Sequence, residues 1–286
     1  MKSFLVISVL ASVALAQNSA SSLIPTGISQ GCSQFLTTLN NDASLASCTG
    51  PIISATSQVL AGNSSSTSTV SSALNNICGS AVQCDEGNIR GKLADFYSNC
   101  GAELTTSRNE DVADLYDALY TLAPLKKALC AKDDSGAYCA TQNPSSTSVS
   151  SLYTETDSAG QTVFKLKPDG FKTSNLAFLF LNSATDSTKL CNSCTRSILT
   201  AYVSFESNAP YASGLGQSPI LGGQSDLYNA VVSGCGANFL QGAVQAAGSL
   251  SDGIISSSDA RRSVGAQAGG LVALLGAATV VAAFAF

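Results

Sequence analysis

The chain contains no histidine and no tryptophan, and only one methionine among its 286 residues. Histidine is the usual general base of Ser-His-Asp and Cys-His nucleophilic sites and the most common zinc ligand, so its absence excludes these kinds of site. Without tryptophan, a carbohydrate-binding surface would have to rely on tyrosine rings. Acidic residues outnumber basic ones, and the resulting net charge of −5 disfavours binding to nucleic acids.

The first 16 residues are typical of a secretory signal peptide. Lys2 supplies a positive charge, residues 4–16 form an apolar core, and Ala14 and Ala16 are the small residues that precede a cleavage site. The core is shorter than the roughly 20 apolar residues that a membrane-spanning helix needs. Cleavage after Ala16 is therefore expected, and the secreted chain would begin at Gln17.

The C-terminal end is typical of a GPI-attachment signal. Residues 269–286 carry no charge and no basic residue follows them, whereas a membrane-spanning helix, the alternative interpretation, usually has basic residues on its cytoplasmic side. Attachment requires small residues, then a polar spacer of about 8 to 12 residues, then the apolar tail. Ser258 fits best, with Ser257 and Ser256 as alternatives. The protein is expected on the outer face of the plasma membrane or in the cell wall, held by the GPI lipid.

Ten cysteines in a secreted chain predict up to five disulfide bonds rather than a zinc site. Intervals of 16 and 30 residues separate the members of two triplets, which are offset by 52 residues: Cys32, Cys48 and Cys78 (the first triplet), then Cys84, Cys100 and Cys130 (the second triplet). A looser third copy is formed by Cys191, Cys194 and Cys235. The matching intervals indicate an internal repeat.

Each repeat unit is predicted to be a helical hairpin. Apolar residues from Ile89 to Leu104 recur at the spacing of one α-helical face, and Asn109 is a candidate N-cap of the next helix. The apolar stripe of that next helix consists of Val112, Leu115, Tyr116, Leu119 and Leu122. Pro124 is expected to kink or restart the helix.

The hairpin geometry favours particular disulfide pairings. With the turn near Ser107 and Arg108, Cys84 and Cys130 lie at similar distances from it along the two helices, so they should meet at the open end. Analogous spans pair the outer members of the other copies. The predicted bonds are Cys84–Cys130, Cys32–Cys78 and Cys191–Cys235, followed by Cys48–Cys100 and Cys139–Cys194, which are assigned without a geometric argument.

The predicted fold is mainly α, with disulfide-stapled helical hairpin repeats and a small β-hairpin insertion. Alternating residues from Leu152 to Leu166 indicate the β-hairpin. Asn63, in an Asn-Ser-Ser sequon, is the predicted N-glycosylation site. The predicted segments are 1–16 (signal peptide), 17–140 (two helical hairpin repeats), 141–170 (Ser/Thr-rich linker and β-hairpin), 171–248 (third helical unit), 249–258 (stalk) and 259–286 (GPI-attachment propeptide).

No motif identifies a catalytic, metal or cofactor site. The four acids from Glu110 to Asp117 are interpreted as solvated side chains that stabilise a helix N-terminus, rather than as a cation site. Cys191 and Cys194 have the C-x-x-C spacing of thiol oxidoreductases, but no βαβ pattern surrounds them. These two cysteines are therefore interpreted as structural cystines.

A glycine-rich loop, residues 214–224, lacks the motifs of a phosphate-binding loop, a dinucleotide fold or a nucleophile elbow. Its uncharged surroundings make it the candidate contact for a small ligand. The candidate residues are Tyr211, Ile220, Leu221 and Gln224. Glu206 and Asp226 flank the loop and are the candidate carboxylate pair of a glycan-cleaving enzyme, which needs an acid and a base roughly 5 to 9.5 Å apart.

Several short motifs occur together in the chain. They are Phe178-Leu-Phe-Leu, Cys191-x-x-Cys194-Thr-x-Ser, Tyr202-x-x-Phe205-Glu206, Pro210-Tyr211-Ala, Leu221-x-Gly223-Gln224, Leu227-Tyr228, Leu129-Cys130-x-Lys132-Asp133 and Tyr138-Cys139. As a set, they resemble a family of fungal secreted, GPI-anchored proteins whose domain has no known function. The resemblance extends from about Leu23 to Phe239 and implies a fungal cell-surface or cell-wall setting, but no reaction and no catalytic residue.

These observations favour a non-enzymatic, GPI-anchored protein of the fungal cell surface or cell wall, with a structural or interaction role. Its expected partners are the membrane, through the lipid, and cell-wall glycan or other surface proteins. One alternative is a module that binds an apolar small ligand or lipid between disulfide-braced hairpins. A second is a wall-glycan-modifying enzyme that uses two carboxylates.

Overall fold

The structure, a computed structural model, describes residues 24–60, 66–79, 82, 84–142, 154–156, 162–164, 171, 174–209, 212, 215, 217–236 and 238–240. Over these residues the protein is mainly helical. The helices are α1 (Gln30–Asn40), α2 (Ala43–Leu60), α3 (Thr67–Cys78), α4 (Glu86–Leu104), α5 (Glu110–Leu129), α6 (Ser187–Leu190), α7 (Ser193–Glu206) and α8 (Gln224–Cys235). Short 3-10 turns occupy Cys139–Thr141 and Leu176–Phe178.

Two short strands accompany the helices. Thr154–Thr156 (β1) pairs antiparallel with Thr162–Phe164 (β2), with Glu155 opposite Val163. Within the described residues, no helix has the length and apolar character needed to cross a membrane.

Local sequence signals explain where many of the helices begin. An N-cap side chain that accepts a backbone N–H of the first turn satisfies a donor that would otherwise lack a partner. Such caps are provided by Ser29, Ser66, Asp85, Asn109, Asp186 and Asn192. The predicted N-cap at Asn109 is confirmed, since its side chain accepts the Val112 N–H at 3.1 Å.

Helix α5 lies at the centre of the molecule. It packs against α4 on one side and α7 on another, and also touches α2, α3 and both 3-10 turns. Because it is surrounded by other elements, its buried surface is wider than one stripe. The predicted stripe is wrong at Leu115, which is 37 % exposed. The expected restart of the helix at Pro124 is also wrong, since α5 continues through this buried proline. A kink at Pro124 stays a prediction.

An irregularity does occur in the preceding helix. Cys100 in α4 has non-helical backbone angles, with φ −120° and ψ 19°. The helix therefore changes course at the residue that forms a disulfide bond with Cys32 of α1.

A row of aromatic rings connects the N-terminal helices to the C-terminal ones. Phe35 packs on Phe96 with ring centroids 5.4 Å apart, and Phe96 packs on Tyr116 at 5.2 Å. Tyr116 stacks with Tyr120 at 6.5 Å, and Tyr120 meets the edge of Phe205 in α7 at 5.3 Å. The buried apolar side chains accordingly form one continuous core from α1 to the C-terminal helices.

All ten cysteines form disulfide bonds. The bonds are Cys32–Cys100, Cys48–Cys84, Cys78–Cys130, Cys139–Cys194 and Cys191–Cys235, with Cα atoms 4.7 to 5.5 Å apart. The structure thus contains the predicted Cys139–Cys194 and Cys191–Cys235 bonds. The predictions of Cys32–Cys78, Cys84–Cys130 and Cys48–Cys100 are wrong.

Two of the wrong pairings, Cys32–Cys78 and Cys84–Cys130, have one physical cause: they require each triplet to form a separate hairpin. The third, Cys48–Cys100, joins the two triplets through the wrong members. In the structure, α1 packs against α4, so Cys32 meets Cys100 rather than a cysteine of its own triplet. Helix α3 packs against α5, which brings Cys78 to Cys130 at the C-terminal ends of both helices. Packing between the triplets therefore decides the connectivity.

The three bonds between the triplets follow a symmetric pattern. An offset of 52 residues converts Cys32 into Cys84, Cys48 into Cys100 and Cys78 into Cys130. Exchanging the two triplets therefore converts the Cys32–Cys100 bond into the Cys48–Cys84 bond and leaves Cys78–Cys130 unchanged. Every one of these three bonds joins one triplet to the other.

Candidate functional site

A group of buried polar side chains lies where α5, α7 and the start of α8 meet. We call these five residues the polar cluster: Asp117, Tyr120, Glu206, Ser218 and Gln224. Each is 4 % exposed or less, although the surrounding core is apolar. Buried polar groups are stable only when their hydrogen bonds are satisfied, so each member of the cluster needs a partner.

Asp117 fastens the segment before α8 onto α5. Its Oδ2 atom accepts hydrogen bonds from the Ser218 hydroxyl at 2.7 Å and from the Ile220 N–H at 3.0 Å. The Ser218 hydroxyl oxygen in turn accepts the Leu221 N–H at 2.8 Å. One buried carboxylate therefore fixes a tight turn about a hundred residues further along the chain.

Gly223 allows α8 to begin close to the 3-10 turn at Leu176–Phe178. A Cβ atom at this position would lie 2.5 Å from the Asn175 Oδ1 atom. The Asn175 side chain is held by a bond from its Nδ2 to the Leu181 carbonyl, so it cannot move away without losing that bond. Any larger residue at position 223 would therefore displace Asn175 and shift Gln224.

Gln224 and Glu206 form the inner part of the polar cluster. The Gln224 Nε2 donates to the Glu206 Oε2 at 2.8 Å. Glu206 Oε1, Gln224 Oε1 and Tyr120 Oη are among the buried atoms that have no hydrogen-bond partner in the described part of the chain. The groups of the described residues thus satisfy the cluster only in part.

Burial changes the acidity of two cluster members. Loss of hydration raises the pKa of Glu206 to about 7, and the hydrogen bond from Gln224 only partly opposes this shift. Burial, together with the charges of Glu206, Tyr116 and Asp117, raises the pKa of the Tyr120 phenol well above its usual value. Near neutral pH, Tyr120 is therefore protonated, and Glu206 can either donate or accept a hydrogen bond.

The structure places the candidate ligand residues Ile220, Leu221 and Gln224 inside the molecule. Ile220 and Leu221 are both 1 % exposed, so their side chains form part of the core. Tyr211, the fourth candidate, lies outside the described residues. Contact of this loop with a small ligand stays a prediction. Because the side chains of Ile220, Leu221 and Gln224 are buried, a ligand on the surface of the structure described above would not touch them.

The two candidate carboxylates lie in different environments. Glu206 is buried at the end of α7, whereas Asp226 is exposed in the first turn of α8. Their role as a catalytic pair stays a prediction.

Cys191 and Cys194 do not bond to each other. Cys191 pairs with Cys235, and Cys194 pairs with Cys139. No group of three or more acidic or cysteine side chains in the described residues is placed to hold a metal ion. The N-glycosylation site Asn63 and the GPI-attachment candidates Ser256, Ser257 and Ser258 lie outside the described residues.

The burial of Asp117 differs from the prediction. The interpretation of this residue as one of the solvated acids at the start of α5 is wrong, because its side chain is 0 % exposed. One feature of the sequence does indicate burial. Asp117 is four residues after Ala113 and three before Tyr120, so it shares a helical face with two apolar side chains. The loop that contains its hydrogen-bond partners Ser218 and Ile220, however, has no sequence motif that predicts this contact.

Comparison with known protein families assigns the N-terminal half of the chain to a family. A family model described as a domain of unknown function (DUF7729) matches residues 15–163, just over half of the chain. This region includes both cysteine triplets and α1 to α5. No curated protein and no solved structure matches the chain.

Proposed function

This chain belongs to the DUF7729 family of domains of unknown function, and because that family name specifies no activity, we propose a function from the residues themselves. The protein is a secreted, non-enzymatic helical ectodomain with a structural or interaction role at the fungal cell surface or cell wall. The observation that carries this proposal is the pairing of all ten cysteines in five bonds. Such bonds form and persist in oxidising compartments outside the cytosol.

The anchoring part of the proposal is supported by the two ends of the chain. Residues 1–16 fit a signal peptide, and residues 269–286 fit the tail of a GPI signal after a small-residue site at Ser258. In this arrangement the disulfide-braced domain faces the outside of the cell and the lipid holds it there. Cell-wall glycan and other surface proteins are its proposed partners.

The internal organisation is also part of the proposal. Residues 17–140 comprise two copies of one helical unit, and β1 and β2 belong to a small β-hairpin insertion before the C-terminal unit. The symmetric disulfide pattern supports the copies. Further support comes from packing, since α2 packs on α3 in one copy as α4 packs on α5 in the other.

The anchor can be tested by releasing the protein from intact cells with phosphatidylinositol-specific phospholipase C. The enzyme should move the protein from the cell surface to the medium. A variant that lacks residues 269–286 is the matched control, and it should appear in the medium without the enzyme. A cell-associated protein whose C-terminal peptide still contains residues 269–286 by mass spectrometry would contradict the proposal.

A further inference from the structure

Three side chains of the polar cluster each have a polar atom with no hydrogen-bond partner among the described residues, although these side chains are almost completely buried. The atoms are Tyr120 Oη, Glu206 Oε1 and Gln224 Oε1. The three residues are 1 %, 3 % and 2 % exposed. Because a buried polar group without a hydrogen bond destabilises a fold, nearly all such groups in native proteins have a partner in the protein or in a bound molecule.

The three groups lie together although they come from three helices. Gln224 at the start of α8 is bonded to Glu206 at the end of α7. Phe205, the neighbour of Glu206, contacts the Tyr120 ring of α5 edge-on. The Glu206 carboxyl is also close enough to raise the pKa of the Tyr120 phenol. These contacts place the Glu206 carboxyl against the Gln224 amide, and they place the Tyr120 ring against the residue that precedes Glu206.

The chemistry of these groups limits what can bind between them. Gln224 Oε1 only accepts hydrogen bonds, and the Tyr120 hydroxyl both donates and accepts. None of the ion pairs in the described part of the chain involves Glu206. Two buried carboxyl groups, Asp117 and Glu206, disfavour an anion near these groups. The partner must therefore donate hydrogen bonds, accept a hydrogen bond and carry no negative charge, and a neutral hydroxyl group meets all three requirements.

We propose that Tyr120, Glu206 and Gln224 form an internal binding site for a small hydroxylic molecule. Two sources share this chemistry: ordered water, which commonly makes two to four hydrogen bonds to buried polar groups, and a small hydroxyl-bearing ligand retained during secretion. Either molecule connects α5, α7 and α8. The site is independent of the proposed surface anchoring.

The first test removes one hydroxyl. Tyr120→Phe should lower the melting temperature by about 2–4 °C, because it removes a group that hydrogen-bonds the bound molecule. Tyr202→Phe is the matched control, since the Tyr202 hydroxyl is equally buried and donates to the Ala177 carbonyl at 2.6 Å. If the Tyr120 hydroxyl had no partner, Tyr120→Phe would leave the melting temperature unchanged or raise it while Tyr202→Phe lowered it. That outcome would overturn the proposal.

A second test identifies the bound molecule in the unmodified protein, and the Tyr120→Phe variant then assigns a water signal to this site. Native mass spectrometry of the secreted ectodomain should reveal a small adduct if the molecule is a ligand. Water relaxation dispersion should reveal a long-lived internal water if it is not. An adduct, or a long-lived water signal that Tyr120→Phe removes, supports the site, whereas absence of both signals refutes it.

Discussion

Glu206 is a carboxyl group placed where an ionised carboxylate is poorly solvated. It is 3 % exposed, accepts one hydrogen bond from Gln224, and has no ion-pair partner in the described residues. Burial therefore raises its pKa from the ordinary 4.5 to about 7. Other acids behave in the opposite way: hydrogen bonds from Lys92 and Ser44 hold the pKa of Asp42 far below its usual value.

The raised pKa of Glu206 predicts a pH-dependent stability. Between about pH 4.5 and 7 the folded protein keeps a proton that the unfolded chain has released, so unfolding releases a proton. The free energy of unfolding should therefore fall as pH rises through this window, by up to about 3 kcal/mol, and level off above it. The acids with lowered pKa values, such as Asp42, affect stability only at lower pH.

Urea denaturation at a series of pH values would measure this slope. Glu206→Gln should flatten the curve between about pH 4.5 and 7, because glutamine cannot ionise but retains an oxygen for the Gln224 amide. Asp226→Asn, at an exposed position on α8, is the control and should keep the wild-type slope. A Glu206→Gln variant with an unchanged slope would show that another group titrates.

At the level of elements, α5 organises the molecule because helices from both halves of the chain pack around it. Its connection to the turn before α8 depends on a single carboxylate, that of Asp117. This carboxylate accepts the Ser218 hydroxyl and the Ile220 N–H. The turn also positions Gln224 and hence the inner part of the polar cluster.

Asp117→Ala should lower the free energy of unfolding by about 3 kcal/mol, because it leaves two buried donors without an acceptor. Chemical denaturation of the purified ectodomain would measure the loss. Asp134→Ala, at an exposed position after α5, is the matched control and should change stability by less than about 0.5 kcal/mol. Equal effects of the two substitutions would contradict the role assigned to Asp117.

The sequence predicts that α4 and α5 are helices, but it does not predict which distant elements pack around α5. The N-cap at Asn109 and the turn near Ser107 follow from local rules, and the structure contains both. The exposure of Leu115 and the burial of Asp117 depend on which elements surround the helix, and these lie far away in the chain. The same limit explains why the polar cluster could not be predicted, since its members come from α5, α7, the turn before α8 and α8 itself.

At the scale of the whole molecule, the disulfide bonds and the continuous core act together. Three bonds join the two triplets, and Cys139–Cys194 joins the segment after α5 to α7. Cysteine spacing predicts a repeat, but it cannot reveal which helices of the two triplets touch. The packing of α1 on α4 and of α3 on α5 determines which cysteines are bonded.

Peptide mapping under non-reducing conditions can test this connectivity. Digestion with trypsin and an Asp-N protease should yield the peptide that contains Cys32 and ends at Asn41, bonded to residues 95–108, which contain Cys100. If Cys32 were bonded to Cys78 instead, the first peptide would be joined to the fragment that starts at Asp42. Reduction before digestion is the control and should separate the pair.

The symmetric bonds between the triplets bear on how such a chain could arise. A polypeptide with a single triplet could make none of them with itself, because each bond crosses from one triplet to the other. Two identical polypeptides related by a two-fold axis could make all three: first cysteine to second, second to first, and third to third. End-to-end gene fusion would then turn a covalent homodimer into the present single chain with no bond rearranged.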